Sequence, residues 1–198
     1  MSSRSYAKTL DGLLKPFGFE RRGSEWSRVR GDMWECVDLQ TSSIAGVTAN
    51  IMAKDIVTES ILSSVPCSRP IFMHPISMRI GHLIDGYDRW WRNNPDGPAE
   101  LAAAVATYGL PWFDKVRTIE DQAARWYGRS SIKPWRSPGV VVLAVTLYRM
   151  GELVEALALF QTAPPKTAIP SLVADAQCVQ RWLEGQIERA PPPAKPRP

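Results

Sequence analysis

The chain has 198 residues and a net charge of +4, from 24 basic and 20 acidic side chains, and 44% of its residues are hydrophobic. That hydrophobic content excludes a disordered body. The acids are spread along the chain, which disfavours a dedicated nucleic-acid binder, since such proteins concentrate their cations on one face or tail. The longest apolar run, Val140 to Val145, is too short to span a bilayer.

The first residues predict a helix that ends near Lys15. Apolar side chains recur at helical spacing: Tyr6, Leu10, Leu13, Leu14 and Phe17. Pro16 disfavours helical geometry at the residue before it, and Gly18 can take the left-handed conformation that ends a helix. Because this segment is amphipathic and has no unbroken apolar core, we do not expect it to be a signal peptide.

From Phe19 the apolar period changes towards two, which predicts strands. Glu25 to Arg30 alternates loosely, and Gly31-Asp32 is a turn signal. In the next strand Met33, Val37 and Leu39 share one face, with Trp34, Cys36 and Gln40 on the other. In the third, Val47, Ala49, Ile51 and Ala53 lie opposite Thr48, Asn50 and Met52. Short loops between these strands predict an antiparallel meander, with the first helix covering one face.

The middle of the chain is interrupted by Pro66, Pro70 and Pro75. Met78 to Ile84 is a possible fourth strand, in which His82 would share a buried face with Ile80. Asp85 to Gly97 is predicted to be a polar loop. The next helix would be capped by Asp96, opened by Pro98 and closed by Gly109. Thr118 and Asp121 then have the spacing of a capping box.

The remainder predicts three helices, from Pro138 to about Met150, from Glu152 to about Thr162 and from Ser171 to Arg189. A Pro-rich tail follows. The fold class predicted is therefore α+β, with three to four antiparallel strands packed by the N-terminal helix and further helices, then an all-helical C-terminal extension. The expected division is an α+β domain over 1–129, a helical extension over 130–190 and a disordered tail over 191–198.

Part of the extension has the spacing of one tetratricopeptide unit. The positions are Leu143, Ala144, Leu147, Ala156, Phe160 and Ala163. Val140 and Ala168 stand where such a unit usually has Trp and Pro. A single unit cannot form a superhelical groove, since about three are needed for a stable stack. Two interpretations stay open, a generic helical hairpin and a repeat-like docking surface.

An ordered series of short motifs runs from Tyr6 to about Arg129. It comprises Leu14-Lys15-Pro16-Phe17-Gly18-Phe19, Arg22-Gly23, Trp26, Val37-Asp38-Leu39-Gln40, Ser42, Asn50, Arg79-Ile80-Gly81, Trp90-Trp91, Leu110-Pro111-Trp112-Phe113-Asp114-Lys115 and Thr118-Ile119-Glu120. Together these residues resemble the bacterial family catalogued as domain of unknown function 4304. The resemblance carries no activity. It implies a small intracellular α+β domain.

The cysteines and histidines do not predict a reactive site. Cys36, Cys67 and Cys178 are far apart and odd in number, so we expect neither a disulfide framework nor zinc, and this fits a reducing, cytoplasmic setting. His74 and His82 do not have the spacing that puts two metal ligands on one helix face. No catalytic residue, metal, cofactor or membrane partner is expected.

Candidate binding residues fall into two sets. Gln40, Ser42, Asn50 and Arg79 are polar groups in predicted strands, and they are either a structural hydrogen-bond network or a polar floor for a ligand or partner. Trp90 and Trp91 belong to the second set, in which aromatic residues are interleaved with basic ones. Its members are Arg89-Trp90-Trp91-Arg92, Arg125-Trp126-Tyr127 and Lys133-Pro134-Trp135-Arg136. Such a mixture suits a protein interface, stacked bases or buried packing.

Three functions compete at this point. The leading hypothesis is a non-enzymatic module that binds another protein. The second is single-stranded nucleic-acid binding, which predicts affinity that falls steeply with salt. The third is an enzyme with an unrecognised site near the sheet, for which Gln40, Asn50, Arg79 and His82 would be the residues to inspect. The oligomeric state does not follow from the sequence.

Overall fold

A computed structural model describes residues 3–73, 75–92, 95–128, 139–161 and 169–189. The chain divides into two compact units. The first comprises Met1–Ile56 and Pro75–Gln122, and the second comprises Val57–His74 and Ala123–Pro198. Residues 57–74 therefore group with the later part of the chain and not with the strands that precede them. Several positions named from the sequence lie outside the described residues, namely His74, Lys133 to Arg136, Ala163, Ala168 and the Pro-rich tail.

The first unit is built on one antiparallel sheet. Helix α1 (Ser3–Leu14) is followed by a single 3-10 turn (Lys15–Phe17), and Gly18 adopts a φ of 81°, the predicted left-handed end. The strands are β1 (Glu20–Arg22), β2 (Glu25–Arg30), β3 (Met33–Ser42), β4 (Gly46–Asp55) and β5 (Ile76–Arg79), and they pair in chain order. The α+β class is confirmed. In the described residues the sheet has five strands, one more than the three to four predicted. The strand that was not predicted is β1, a short exposed edge strand that has no apolar alternation.

The fourth predicted strand is partly wrong. Strand β5 ends at Arg79, and Ile80–Ile84 forms a short helix, α3. His82 is consequently exposed and is not the buried core histidine that was expected. The reason is the spacing of Ile80 and Ile84, since a separation of four residues places two side chains on one face in a helix as well as in a strand.

The helix after the 85–92 loop is longer than predicted. Helix α4 (Gly97–Ala104) continues through a π-helical turn (Val105–Gly109) into α5 (Leu110–Asp114). Gly109 does not close the helix. A Cβ at Gly109 would lie 3.2 Å from the Cδ1 atom of Ile51, so its role is to let the helix approach the sheet closely. The side chain of Asp96 makes no capping hydrogen bond.

The capping box before the next helix is confirmed. The Asp121 amide donates to Thr118 Oγ1, and the Thr118 amide donates to Asp121 Oδ2, both at 3.1 Å. Helix α6 (Ile119–Gly128) begins there. These two bonds satisfy donors that would otherwise be unpaired at the helix start.

The predicted alternation of the central strands is confirmed. Leu39 pairs with Ala49 and Val37 with Ile51, and these four side chains are buried on one face of the sheet. Helix α1 packs over this face through Tyr6, Leu10 and Leu14, which are also buried. The indole Nε1 of Trp26 donates to Asp11 Oδ1 at 3.0 Å and joins β2 to α1. The other face carries Asp38, Gln40, Asn50 and Arg79.

A charged cluster is buried on the core face of the sheet. Glu35 is only 1% exposed, and it accepts from Arg28 Nε at 2.6 Å and from Arg30 Nη2 at 2.8 Å. Arg28 also donates to the Phe17 carbonyl at 2.6 Å, and Arg30 donates to Asp114 at 2.7 Å. Since each guanidinium holds Glu35 and one further element, the cluster ties together the turn after α1, strands β2 and β3, and α5.

In its described residues the second unit contains helices and no strand. It contains most of α2 (Ile56–Ser64), the end of α6, then α7 (Gly139–Arg149), α8 (Leu153–Ala158) and α9 (Pro170–Arg189), so the three predicted C-terminal helices are confirmed. The small and apolar residues at tetratricopeptide spacing are buried where described: Leu143, Ala144, Leu147, Ala156 and Phe160. None of the helices in the described ranges is both long and apolar enough to cross a membrane.

The expectation that the cysteines form no disulfide framework is wrong for one pair. Cys67 and Cys178 form a disulfide with a Cα–Cα distance of 5.9 Å, and Cys36 is the cysteine that remains free. The two bonded residues are 111 positions apart in the chain. Spacing over that distance carries no pairing signal, because the tertiary fold alone decides which cysteines meet.

Candidate functional site

A row of polar side chains crosses the sheet on the face opposite to α1. The strand register aligns one residue from each of the five strands in this row: Arg22, Glu25, Asp38, Asn50 and Arg79. Because side chains alternate between faces, all five belong to the same side of the sheet. They are exposed at the β1–β2 edge and half-buried from Asp38 to Arg79.

Hydrogen bonds join the centre of this row into a network. Asn50 Nδ2 donates to Asp38 Oδ2 at 3.2 Å and to Gln40 Oε1 at 3.3 Å. Arg79 Nη2 donates to the same Gln40 oxygen at 3.1 Å. Ser24 Oγ donates to the second carboxylate oxygen of Asp38 at 3.3 Å. Each side chain therefore fixes the rotamer of its neighbour. We call Asp38, Gln40, Asn50, Arg79, Asp88 and Trp90 the polar network.

The network ends in an ion pair beside an aromatic ring. Arg79 Nη1 contacts Asp88 Oδ2 at 2.5 Å, and the guanidinium lies 5.1 Å from the centre of the Trp90 ring. The hydrogen bond from Arg79 lowers the pKa of Asp88, and the Trp90 side chain and the charge of His82 act in the same direction. Asp88 therefore stays ionised at neutral pH, and the end of the network presents a fixed pair of opposite charges.

The loop that carries Asp88 and Trp90 is held on the edge of β4. Val47 and Trp91 exchange two backbone hydrogen bonds, of 2.9 and 2.7 Å. Thr48 Oγ1 donates to the Arg89 carbonyl at 3.0 Å, and Tyr6 Oη donates to the Arg92 carbonyl at 2.7 Å. Gly46 permits this approach, since it has a φ of 111° and a Cβ there would collide with the Trp91 carbonyl. The loop is thus positioned by the sheet and by α1.

An open groove of about 370 Å³ borders the same loop. Its lining includes Trp91 and Arg89 from the loop, and Glu100 and Tyr108 from the long helix. Arg89 is paired with Asp85 at 2.8 Å. The loop therefore contributes side chains to two neighbouring surfaces of the first unit, the polar network through Trp90 and this groove through Trp91.

The structure brings together four of the six candidate binding residues, namely Gln40, Asn50, Arg79 and Trp90. Ser42 lies apart from them, where its Oγ accepts from the amides of Ile44 at 3.3 Å and Ala45 at 3.1 Å in the turn between β3 and β4. Trp91 is 6% exposed and pairs with Val47, whose side chain belongs to the core face.

Two network members were missed from the sequence. Asp38 had an available signal, because it lies two residues before Gln40 and so shares its strand face. Asp88 had none, since a loop residue nine positions from Arg79 has no periodicity that would place it. Of the other aromatic and basic segments, Trp126 is 5% exposed, which favours packing.

A free thiol lies beside the network. Cys36 is on the same face of β3 as Asp38 and is buried. Burial raises the pKa of the Cys36 thiol to about 12, and the charges of Glu25 and Asp38 add to the effect. The thiol is therefore protonated at neutral pH.

We expect Cys36 to resist alkylation in the folded protein. At pH 8 its rate with iodoacetamide should be roughly a thousandfold below that of an unfolded cysteine, because only the thiolate reacts and burial raises the pKa of the Cys36 thiol to about 12. Peptide mass spectrometry after timed labelling measures this rate. The same protein in denaturant is the control, and rapid labelling of folded protein would contradict the burial of this thiol.

The described residues do not contain a group of three or more His, Cys, Asp or Glu side chains placed to hold a metal ion. What the network offers is a set of fixed hydrogen-bond donors and acceptors. These are amides, a guanidinium and carboxylates, with an indole ring beside them. Such groups are suited to recognising a polar surface.

The fold and the site together define the class of protein. It is a small α+β domain with an antiparallel sheet and a polar network on one sheet face. A family model described as Domain of unknown function (DUF4304) matches residues 10–115. The chain belongs to this family. The match covers the sheet and continues to α5, and α6 to α9 lie beyond it. No curated protein and no solved structure matches the chain.

Proposed function

We propose that this protein is a non-enzymatic module that binds another protein through the polar network. The observation that supports the proposal is the convergence of Gln40, Asn50 and Arg79, which hydrogen bonds join on one sheet face, with the Trp90 ring beside the Arg79 guanidinium. Arg79 is 27% exposed and Asp88 46% exposed, so a partner has access to both charges. Arg and Trp are frequent anchors of protein interfaces.

The rigidity of the network favours binding. Its side chains are held by one another and by the loop backbone, so a partner would immobilise few additional rotamers. Association normally costs about 0.5–1.5 kcal/mol for each flexible side chain that becomes ordered. A network already fixed in the free protein avoids most of that cost.

The charges of the network favour a protein over a nucleic acid. The cation of Arg79 is already paired with Asp88, and Asp38 places a second carboxylate on the same face. A phosphate would have to displace one carboxylate and approach another. A protein surface can supply both donors and acceptors. Binding through this face should therefore lack the steep salt dependence of a nucleic-acid complex.

The protonation state of Asp88 favours recognition over acid–base catalysis. A general base works best with a pKa near the operating pH, and the pKa of Asp88 is lowered from its ordinary value by Arg79. His82, the remaining residue of the enzyme hypothesis, is exposed on α3. The arrangement thus gives the carboxylate a role in holding Arg79.

We also propose a cytoplasmic location, as the composition suggested. The Cys67–Cys178 disulfide removes one support for it, because stable disulfides are rare in reducing compartments. A disulfide that exchanges with cellular thiols is compatible with such a compartment.

Replacing Arg79 should weaken partner binding. We expect Arg79→Ala to reduce affinity roughly 30-fold, the effect of losing a contact worth about 2 kcal/mol at an interface anchor. The partner is recovered by affinity capture from native extract and then titrated as a purified protein by calorimetry. Arg4→Ala is the matched control, because Arg4 is an exposed arginine on α1, against the other sheet face.

The Arg79→Lys variant separates charge from geometry. Lysine keeps the positive charge but cannot hold Gln40 and Asp88 with a planar fork, so we expect an intermediate loss. Circular dichroism confirms that the variants are folded. Equal affinity of wild type, Arg79→Ala and Arg4→Ala would overturn the proposal, as would repeated capture that recovers no reproducible partner.

A further inference from the structure

The Cys67–Cys178 disulfide borders a groove of about 260 Å³ in the second unit. The groove is lined by Pro66, Cys178, Arg181, Trp182, Gly185 and Gln186. Of the two bonded cysteines, Cys178 is the one that lines it, and both residues are half-buried. A small molecule in the groove would therefore lie against Cys178 and not against Cys67.

The groove is a defined feature of one helix face. Cys178, Arg181, Trp182 and Gly185 have the three- and four-residue spacing that stacks side chains along α9. Gly185 borders open space, since a Cβ there would meet nothing within 4 Å, so a larger side chain could extend into the groove. Trp182 forms one wall, and its ring packs edge-on against Tyr148 of α7 with centroids 5.0 Å apart.

A salt bridge holds the two cysteines together independently of their bond. Arg69, two residues after Cys67, contacts Asp175 Oδ2 at 2.7 Å and donates to the Ser171 carbonyl at 3.3 Å. Asp175 lies one helical turn before Cys178. If the disulfide opens, this clip still links the segment that carries Cys67 to α9, which favours re-formation of the bond.

The groove carries a cation that can receive a ligand. Arg181 is exposed and lies one turn after Cys178. Among the residues that the structure describes, no carboxylate is paired with Arg181, and the nearby Glu184 accepts from Gln180 at 2.9 Å. A negatively charged molecule that enters the groove would find an unpaired guanidinium beside the disulfide.

We propose that Cys67–Cys178 is a thiol–disulfide exchange site that accepts a small thiol bearing carboxylates, and that attack occurs at Cys178. The thiolate of the small molecule bonds to Cys178 Sγ, and the Cys67–Cys178 bond breaks. The electron pair leaves on Cys67 Sγ, which takes a proton from water. The reverse step, attack of the Cys67 thiolate on Cys178 Sγ, expels the small thiol and restores the disulfide.

Complete reduction needs a second molecule of the same thiol. Its thiolate attacks the sulfur of the bound small molecule, releases the Cys178 thiolate and leaves as a small-molecule disulfide. Two small thiols are oxidised, and the protein pair gains two electrons and two protons. Cys36 takes no part, because it is buried.

The site of attack can be tested on the full chain with glutathione. Folded oxidised protein is incubated with glutathione, quenched with acid and mapped by peptide mass spectrometry. We expect the mixed disulfide on Cys178. Exchange should also occur without denaturant. A mixed disulfide mainly on Cys67, or exchange that requires unfolding, would overturn the proposal.

Two pairs of variants test the groove itself. Gly185→Leu fills the open space and should slow exchange on the order of tenfold. This corresponds to an activation free energy that is about 1.4 kcal/mol higher. Gly12→Leu is the matched control, since Gly12 is also a helical glycine with nothing within 4 Å, but on α1. Equal rates in these two variants would contradict attack through the groove.

The second comparison concerns charge. At equal thiolate concentration, glutathione should react faster than the cationic thiol cysteamine, and Arg181→Gln should abolish that preference, with Arg4→Gln as control. A preference that persists in Arg181→Gln would contradict the role given to this guanidinium. Failure of these tests leaves the proposed protein-binding function unaffected, because the polar network is in the other unit.

Discussion

Replacing Glu35 with alanine is expected to lower the free energy of unfolding by about 3–5 kcal/mol, the usual cost of breaking a buried ion pair. The carboxylate is 1% exposed and faces two guanidinium groups. Its removal leaves those cations in a site that has little access to water. Urea unfolding followed by circular dichroism, with the disulfide intact, measures the change.

A matched control exists within the same cluster. Asp114 also pairs with Arg30, at 2.7 Å, but its side chain is 62% exposed. Exposed ion pairs contribute about 0–1 kcal/mol, so Asp114→Ala should have a small effect. A Glu35→Ala loss as small as that of Asp114→Ala would contradict the structural role assigned to the cluster.

Removing the disulfide is the second change with a large expected effect. The Cys67→Ser, Cys178→Ser double variant should lose about 2–5 kcal/mol, because the bond closes a loop of more than a hundred residues and so restricts the unfolded chain. Chemical reduction of the wild type should produce a similar loss. The same unfolding experiment under reducing and non-reducing conditions measures both.

The double variant is its own control for the reductant. Reducing agent should leave its stability unchanged, since Cys36 is already a free thiol. Equal stability of oxidised wild type and double variant would contradict the stabilising role assigned to the bond.

Much of the first unit could be predicted from the sequence, because its core obeys simple periodicities. The stripe from Tyr6 to Leu14 marked α1, and the alternation of Val37, Leu39, Ala49 and Ile51 marked the buried face of the sheet. Ile80 and Ile84 fit either period, so the end of β5 was misplaced. Strand β1 has no apolar residue, and its pairing with β2 follows from the turn at Gly23.

Long-range features could not be predicted, because no local pattern records them. Gln40 and Asn50 lie on adjacent strands, so their proximity followed from strand alternation. The pairing of Arg79 with Asp88 depends on how the loop folds back on α3 and β4. The Cys67–Cys178 bond and the Arg69–Asp175 clip join residues more than a hundred positions apart, and each required the folded structure.

The two proposals assign different work to the two units. The polar network would recognise a partner, and the disulfide beside the groove would exchange with small thiols. The helical hairpin of α7 and α8 remains the competing docking surface. Its small and apolar residues have the spacing of one tetratricopeptide unit, and such units form docking surfaces. Which residues contact the partner therefore decides between the polar network and the helical hairpin.

Hydrogen–deuterium exchange of the full chain, alone and bound to its captured partner, tests the central claim most directly. If the polar network is the binding surface, amide protection should increase in β3, β4 and β5 and in the loop from Asp85 to Arg92. The Arg79→Ala variant should lose that protection at the same partner concentration. Protection confined to α7, α8 and α9 would contradict the account and favour the helical hairpin instead.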